Sequence, residues 1–275
     1  MKSFAIRALD ADLRIEAPPR TCAWLHDLLY DLVVDTPHSD PLTIPAITWR
    51  SQGCDQWTID LAGAGHVARI ETAGALAETL VEINRWAAES VVADRAVLHA
   101  GTFTVGDVAV AVVGASGAGK STTVAAAVLR GHGYLSDEVG SIDMAAWHVQ
   151  PYHRPIGLRA AGAQAIGVEV PPPVDRYGFV YPWRPTGSTG PSGKLAGSAP
   201  LGMVVFLQRR PGPVEVCAVR PAEALVRLSG VSLAAAGRER VLFRRFEKLA
   251  RVIKVIEVRY DDVFGAVDAM VAALP

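Results

Sequence analysis

Val108-Ala-Val-Ala-Val-Val-Gly114-Ala115-Ser116-Gly117-Ala118-Gly119-Lys120-Ser121-Thr122-Thr-Val-Ala-Ala-Ala-Val-Leu129 is the stretch whose reading decides the fold. An unbroken apolar segment leads into a glycine loop and then into an Ala-rich run, which predicts a strand covered on both faces, a tight turn and a helix. At the junction, Gly114-x-x-x-x-Gly119-Lys120-Ser121 has the pattern of a phosphate-binding P-loop. Glycines let the backbone turn its amides toward a phosphate, and the helix N-terminus adds its positive end. Gly114 to Thr122 would cradle the phosphates, Lys120 would reach the outer ones, and the Ser121 hydroxyl would serve magnesium. A chance match in a chain of this length is on the order of 1%. A glycine turn that binds nothing is the weaker reading, so ATP with Mg2+ is the expected ligand.

Just beyond the loop, Tyr134-Leu-Ser-Asp137-Glu138-Val-Gly-Ser-Ile-Asp143 reads as a strand, two carboxylates and a second strand. The pair follows Ser121 by sixteen and seventeen residues, about one helix and one turn. In a parallel sheet that spacing puts it at the carboxyl end of the neighbouring strand, beside the phosphates. A magnesium-nucleotide site needs a carboxylate near the loop serine, and a kinase needs a group to receive the acceptor's proton. A solvated acidic turn is the competing reading. Ahead of the loop, Ala96 to Ala100 and Thr102 to Val105 read as two strands, with Gly106-Asp107 turning into the loop strand. Past the acidic pair, His148-Val-Gln-Pro-Tyr-His-Arg154-Pro-Ile-Gly-Leu-Arg159 carries two arginines. Arg154 suits a phosphate clamp by its planar guanidinium, and an ordinary surface arginine fits equally.

Composition narrows the rest. Half of the 275 residues are hydrophobic and 20% are charged, enough to build a sizeable core. A net charge of −1 offers no attraction to nucleic acid or to an anionic membrane. Cys22, Cys54 and Cys217 form no metal or disulfide pattern, no secretory signal is visible and no apolar run is long enough to span a bilayer. The expected setting is cytoplasmic. Residues 1–95 read as a separate α+β region, with strands at Phe4, Leu13, Ile47, Trp57 and His66, a helix capped at Thr21 and a longer helix from Ala73 to Val92. Its histidines, His26, His38 and His66, are isolated, and no chemistry is expected there. Residues 96–275 read as the nucleotide domain. There, Tyr177 to Trp183 forms an aromatic patch and Thr186 to Gly197 a glycine/serine loop, read either as a substrate lid carrying Lys194 or as a plain connection. Helices are expected from Pro221, from Arg238 to Ile253 and from Asp261.

Val97-Leu-His99-Ala, the glycine loop, and Arg130-Gly-His-Gly-Tyr-Leu-Ser-Asp-Glu138 together resemble the core of HPr kinase/phosphorylase-like P-loop kinases. Later segments, Arg154 to Arg159, Val204-Val-Phe-Leu and Arg220-Pro-Ala-Glu-Ala-Leu, look like the HPr-kinase-related serine kinases of peptide tailoring, lasso-peptide kinases among them. The resemblance implies an α/β core of the HPr kinase/PEP-carboxykinase type and transfer of the γ-phosphate of ATP to a serine hydroxyl of a peptide or protein. It gives Asp137 the acceptor's proton, Glu138 a share of the metal, and His99 a place beside both. A homo-oligomer is an expectation of the resemblance alone. Glu138 stands where the family usually has aspartate, and the signature of HPr-directed members is not recognisable, so HPr docking and reverse phosphorolysis are not expected. A kinase for a free amino acid or sugar, and an ATP-binding regulator without catalysis, stay open as alternatives.

Overall fold

The computed structural model describes residues 1–38, 43–61, 65–169, 181–183, 194–233 and 239–275. The protein is mixed α/β and divides into two units, one of Met1–Ser90 and one holding the described residues from Val91 onward.

In the first unit, β1 (Lys2–Ala8) and β2 (Ala11–Ala17) form a hairpin, followed by α1 (Pro19–Leu28). Next come β3 (Ala46–Gly53), β4 (Gln56–Leu61), β5 (Gly65–Ile70) and α2 (Thr72–Val91). The sheet order is β1-β2-β3-β4-β5, with β2 and β3 parallel and the other pairs antiparallel. The expected cap at Thr21 is replaced by an earlier start at Pro19, because proline at the first helical position needs no donor to be satisfied. Trp49, fully buried, donates through its indole N–H to Thr79 on α2 at 2.9 Å, which ties the sheet to its helix.

The second unit opens with β6 (Arg95–Val105) and β7 (Val108–Val113), then α3 (Lys120–Leu129), β8 (Gly133–Ser136), β9 (Val139–Asp143), β10 (His148–Gln150), β11 (Ile156–Leu158) and α4 (Ala160–Ala165). It continues with β12 (Tyr181–Trp183), β13 (Lys194–Leu195), β14 (Ala199–Arg209), β15 (Glu215–Ala218), α5 (Pro221–Ser229), α6 (Glu239–Val252), β16 (Lys254–Tyr260) and α7 (Val263–Ala272). The heart of the sheet is β7, β14 and β16, mutually parallel, with buried apolar residues at their centres (Ala109 to Val113, Met203 to Leu207, and Val255, Ile256 and Val258). Val110, Val112, Val205, Leu207, Ile256 and Val258 pack with Val124 to Val128 of α3 and with Val263, Val267 and Met270 of α7 in one core.

Three sequence expectations are corrected here. Residues 95–105 form one strand, because Gly101 keeps its pairing with Val112 and the ladder does not break. The last helix is capped by Asp262, whose carboxylate accepts from the backbone N–H of Phe264 and Gly265, and not by Asp261. Thirdly, β8 is not the direct neighbour of β7. The long β6 occupies that edge of β7 and pairs antiparallel with both, so β7 and β8 run the same way with β6 between them. Lys194, considered as part of a moving lid, sits in β13, paired in parallel register with Gly133. Residues 177–180 of the aromatic patch and 186–193 of the glycine/serine loop lie outside the described residues. No helix among the described residues is long and apolar enough to cross a membrane.

Candidate functional site

Where β7 ends at Val113, the chain enters the glycine loop, and α3 begins at Lys120. Gly119 stands at the helix N-cap with φ 94°, a left-handed conformation open to glycine, and it offers no side-chain cap to the first turn. A Cβ there would also collide with the Tyr260 hydroxyl. That hydroxyl donates to the carbonyl of Ala118 at 2.8 Å, so the end of β16 braces the loop from behind. Ala115, Ser116 and Gly117 face solvent, Gly114, Ala118, Gly119, Ser121 and Thr122 are half-buried, and Lys120 is buried. The Lys120 ammonium folds back onto the loop, donating to the carbonyls of Gly114 at 3.0 Å and Ala115 at 3.4 Å. Burial lowers its pKa, against the pull of Glu138 and Asp137.

Asp137 and Glu138 leave β8 at the end of the sheet where β7 enters the loop, one strand removed. They face different environments. Asp137 is 1% exposed. Its Oδ2 accepts from the backbone N–H of Gly157 at 2.7 Å and lies 3.6 Å from Nη2 of Arg154. Its other oxygen, Oδ1, is buried without a partner. Burial pushes the Asp137 pKa up to about 6, with the Glu138 charge adding to it and Arg154 opposing.

Glu138 is more open. Its Oε2 is 2.8 Å from Nε2 of His99. Burial raises its pKa, but the His99 hydrogen bond and the charges of Arg154 and Lys120 outweigh this and hold it below the ordinary value. The contact with His99 follows from register. Within β6, His99 pairs with Val139, the residue after Glu138, and its neighbour Ala100 pairs with Val113, the last residue before the loop. Both His99 and Glu138 retain substantial side-chain exposure.

Arg154 is not at the surface. It is 4% exposed beneath Asp137, and its Nε donates to the carbonyl of Pro155 at 3.2 Å. The buried Tyr134 hydroxyl donates to the Arg154 carbonyl at 2.6 Å and fixes the backbone below the guanidinium. In this position Arg154 acts as counter-ion to a buried carboxylate.

The structure therefore gathers Lys120, Ser121, Asp137, Glu138, His99 and the glycine loop at one end of the sheet. Sequence reasoning missed two participants. Gly157 lies between Arg154 and Arg159, but nothing in a glycine's spacing says that its N–H will meet a carboxylate twenty residues away. Tyr260 comes 142 residues after Ala118 in the chain and carries no local signal at all. Among the described residues no group of three or more His, Cys, Asp or Glu side chains is placed to hold a metal. Neither protein-family models nor curated proteins give a match to this chain.

Proposed function

We propose that the protein is an ATP-dependent phosphotransferase of the HPr kinase/PEP-carboxykinase type, transferring the γ-phosphate to a hydroxyl, most directly a serine of a peptide or protein. One observation carries this reading. A glycine loop with a buried lysine lies at the end of the sheet where a buried carboxylate has one oxygen without a partner. A buried, unsatisfied carboxylate oxygen is costly, and such groups persist where a ligand satisfies them.

The donor set suits magnesium, a hard cation that takes hydroxyl and carboxylate oxygens and keeps several waters, so three protein side chains are not required. Ser121 with Glu138 or Asp137 would hold it, and when bound it would neutralise the charge on the transferring phosphate. The loop amides and Lys120 hold the phosphates, and Lys120 would exchange its two loop carbonyls for phosphate oxygens. The remaining task is to accept the proton of the acceptor hydroxyl.

Two assignments of that task compete. The resemblance gives it to Asp137, and a pKa near 6 suits a base working near neutral pH. Exposure favours Glu138, because its hydrogen-bonded His99 lies open to an incoming hydroxyl whereas Asp137 is sealed. Purified protein, magnesium-ATP labelled in the γ-phosphate, and candidate peptides or free serine would be mixed, and mass spectrometry would locate added phosphate. Transfer to a peptide serine that is lost in Asp137→Asn supports the reading. Transfer to free serine alone keeps the chemistry and removes the peptide. ATP binding with no transfer to any acceptor overturns the kinase.

A further inference from the structure

Arg154 and Arg159 lie five residues apart and have opposite surroundings. Arg154 is enclosed beneath Asp137. Arg159 is exposed, and its side chain has neither a hydrogen bond nor an ion pair among the described residues. Its backbone, by contrast, is anchored on both sides to the site. Two residues earlier, the Gly157 N–H is bonded to Asp137, in a strand whose three residues are all buried. Three residues later, Gly162 of α4 packs so closely on Thr122 of α3 that a Cβ would lie 2.5 Å from the Thr122 Oγ1. Thr122 is the second residue after Lys120, in the first turn of the helix that the loop opens. The segment is thus a strut between the acidic pair and the loop helix, and Arg159 is the free cation at its bend.

Burial cannot account for placing it there, since the side chain is in solvent. Nor do the charges of the chain itself favour it, because its charge acts against that of Lys120. A second cation beside the loop lysine is favourable once a highly charged anion lies between them, and a guanidinium matches a terminal phosphate in geometry as well as charge.

We propose that Arg159 is the arginine that clamps the terminal phosphate of the bound nucleoside triphosphate, a role the buried Arg154 cannot fill. This rests on the nucleotide-binding reading above, and the test separates the two. Affinities for ADP and for a non-hydrolysable ATP analogue, each with magnesium, are measured by calorimetry for the wild type, Arg159→Ala and Arg159→Lys. Loss of charged hydrogen bonds to one phosphate predicts that Arg159→Ala weakens the analogue by about tenfold or more and leaves ADP within about twofold. Arg159→Lys should recover part of the loss, since charge is kept and the bidentate fork is not. Equal losses for both nucleotides, or none, overturn the role of Arg159 while leaving nucleotide binding intact. Failure of the wild type to bind either nucleotide overturns the underlying reading. An unchanged melting temperature in Arg159→Ala, expected for an exposed side chain, excludes a general loss of fold.

Discussion

Each unit buries one aspartate beside an arginine, and the two are treated in opposite ways. In the first unit, Asp12 on β2 is fully engaged. Arg7 donates to it through Nε at 2.8 Å and Nη2 at 3.3 Å, and the His38 backbone N–H donates to its Oδ2. Burial raises its pKa, but the Arg7 and His38 hydrogen bonds outweigh that and leave it below the ordinary value. In the second unit, Arg154 stands off from Asp137 at 3.6 Å, one carboxylate oxygen has no partner, and burial wins, raising the pKa to about 6. Completed hydrogen bonds mark an acid that stabilises a hairpin. Incomplete ones leave an acid whose charged form is poorly held, which is the condition the proposed function draws on.

The sharpest way to break this comparison is to neutralise each acid in turn. Asp137→Asn should reduce phosphate transfer by about 10³-fold if it takes the proton. Glu138→Gln is measured alongside in the same labelled assay, and the larger loss identifies the base. Asp12→Asn should leave transfer unchanged. The next effect is on stability. Arg154→Met leaves Asp137 buried without its counter-ion and should cost about 3 kcal/mol in urea unfolding, with the Asp137 pKa moving further up.

Asp12→Asn should cost about 2 kcal/mol by loss of charged hydrogen bonds, read as faster hydrogen exchange in β1 and β2. The pH dependences have opposite signs. Asp12 has a depressed folded pKa, so its contribution is present above the unfolded value near 4 and is lost as pH falls below it. The difference between wild type and Asp12→Asn should therefore disappear in acid. Asp137 has a raised folded pKa, so the native state holds its proton longer, and stability from this group declines as pH rises from about 4 to about 6. The smallest effect belongs to Tyr260→Phe. Losing one neutral hydrogen bond behind the loop is worth about 1 kcal/mol, seen as roughly fivefold weaker nucleotide binding with little change in β16 packing.

Much of this site is legible in the chain. The strand, loop and helix around Gly114 to Lys120 read directly, because apolar continuity, glycine spacing and helix propensity are local properties. Asp137 and Glu138 read from their distance to Ser121, and His99 only through the family resemblance. Arg154 reads equally as a phosphate clamp or a surface arginine, and Arg159 carries no reading of its own, because burial is decided by what packs above a residue and not by its neighbours in sequence. The expected adjacency of the loop strand and the acidic strand failed for a similar reason. A hairpin partner as long as β6 claims the edge that the simple parallel order would have filled.

Sequence by itself determined that a glycine loop joins a buried strand to a helix, that two carboxylates follow at one helix and one turn, and that an α+β region precedes them. Only the tertiary structure decided which of the two carboxylates is sealed, which arginine is buried beneath it and which stays free, and that a tyrosine from the far end of the chain braces the loop. Spacing along a chain specifies local geometry. Solvent access, and with it the pKa and availability of each charged group, is set by long-range strand register and by packing between elements distant in sequence.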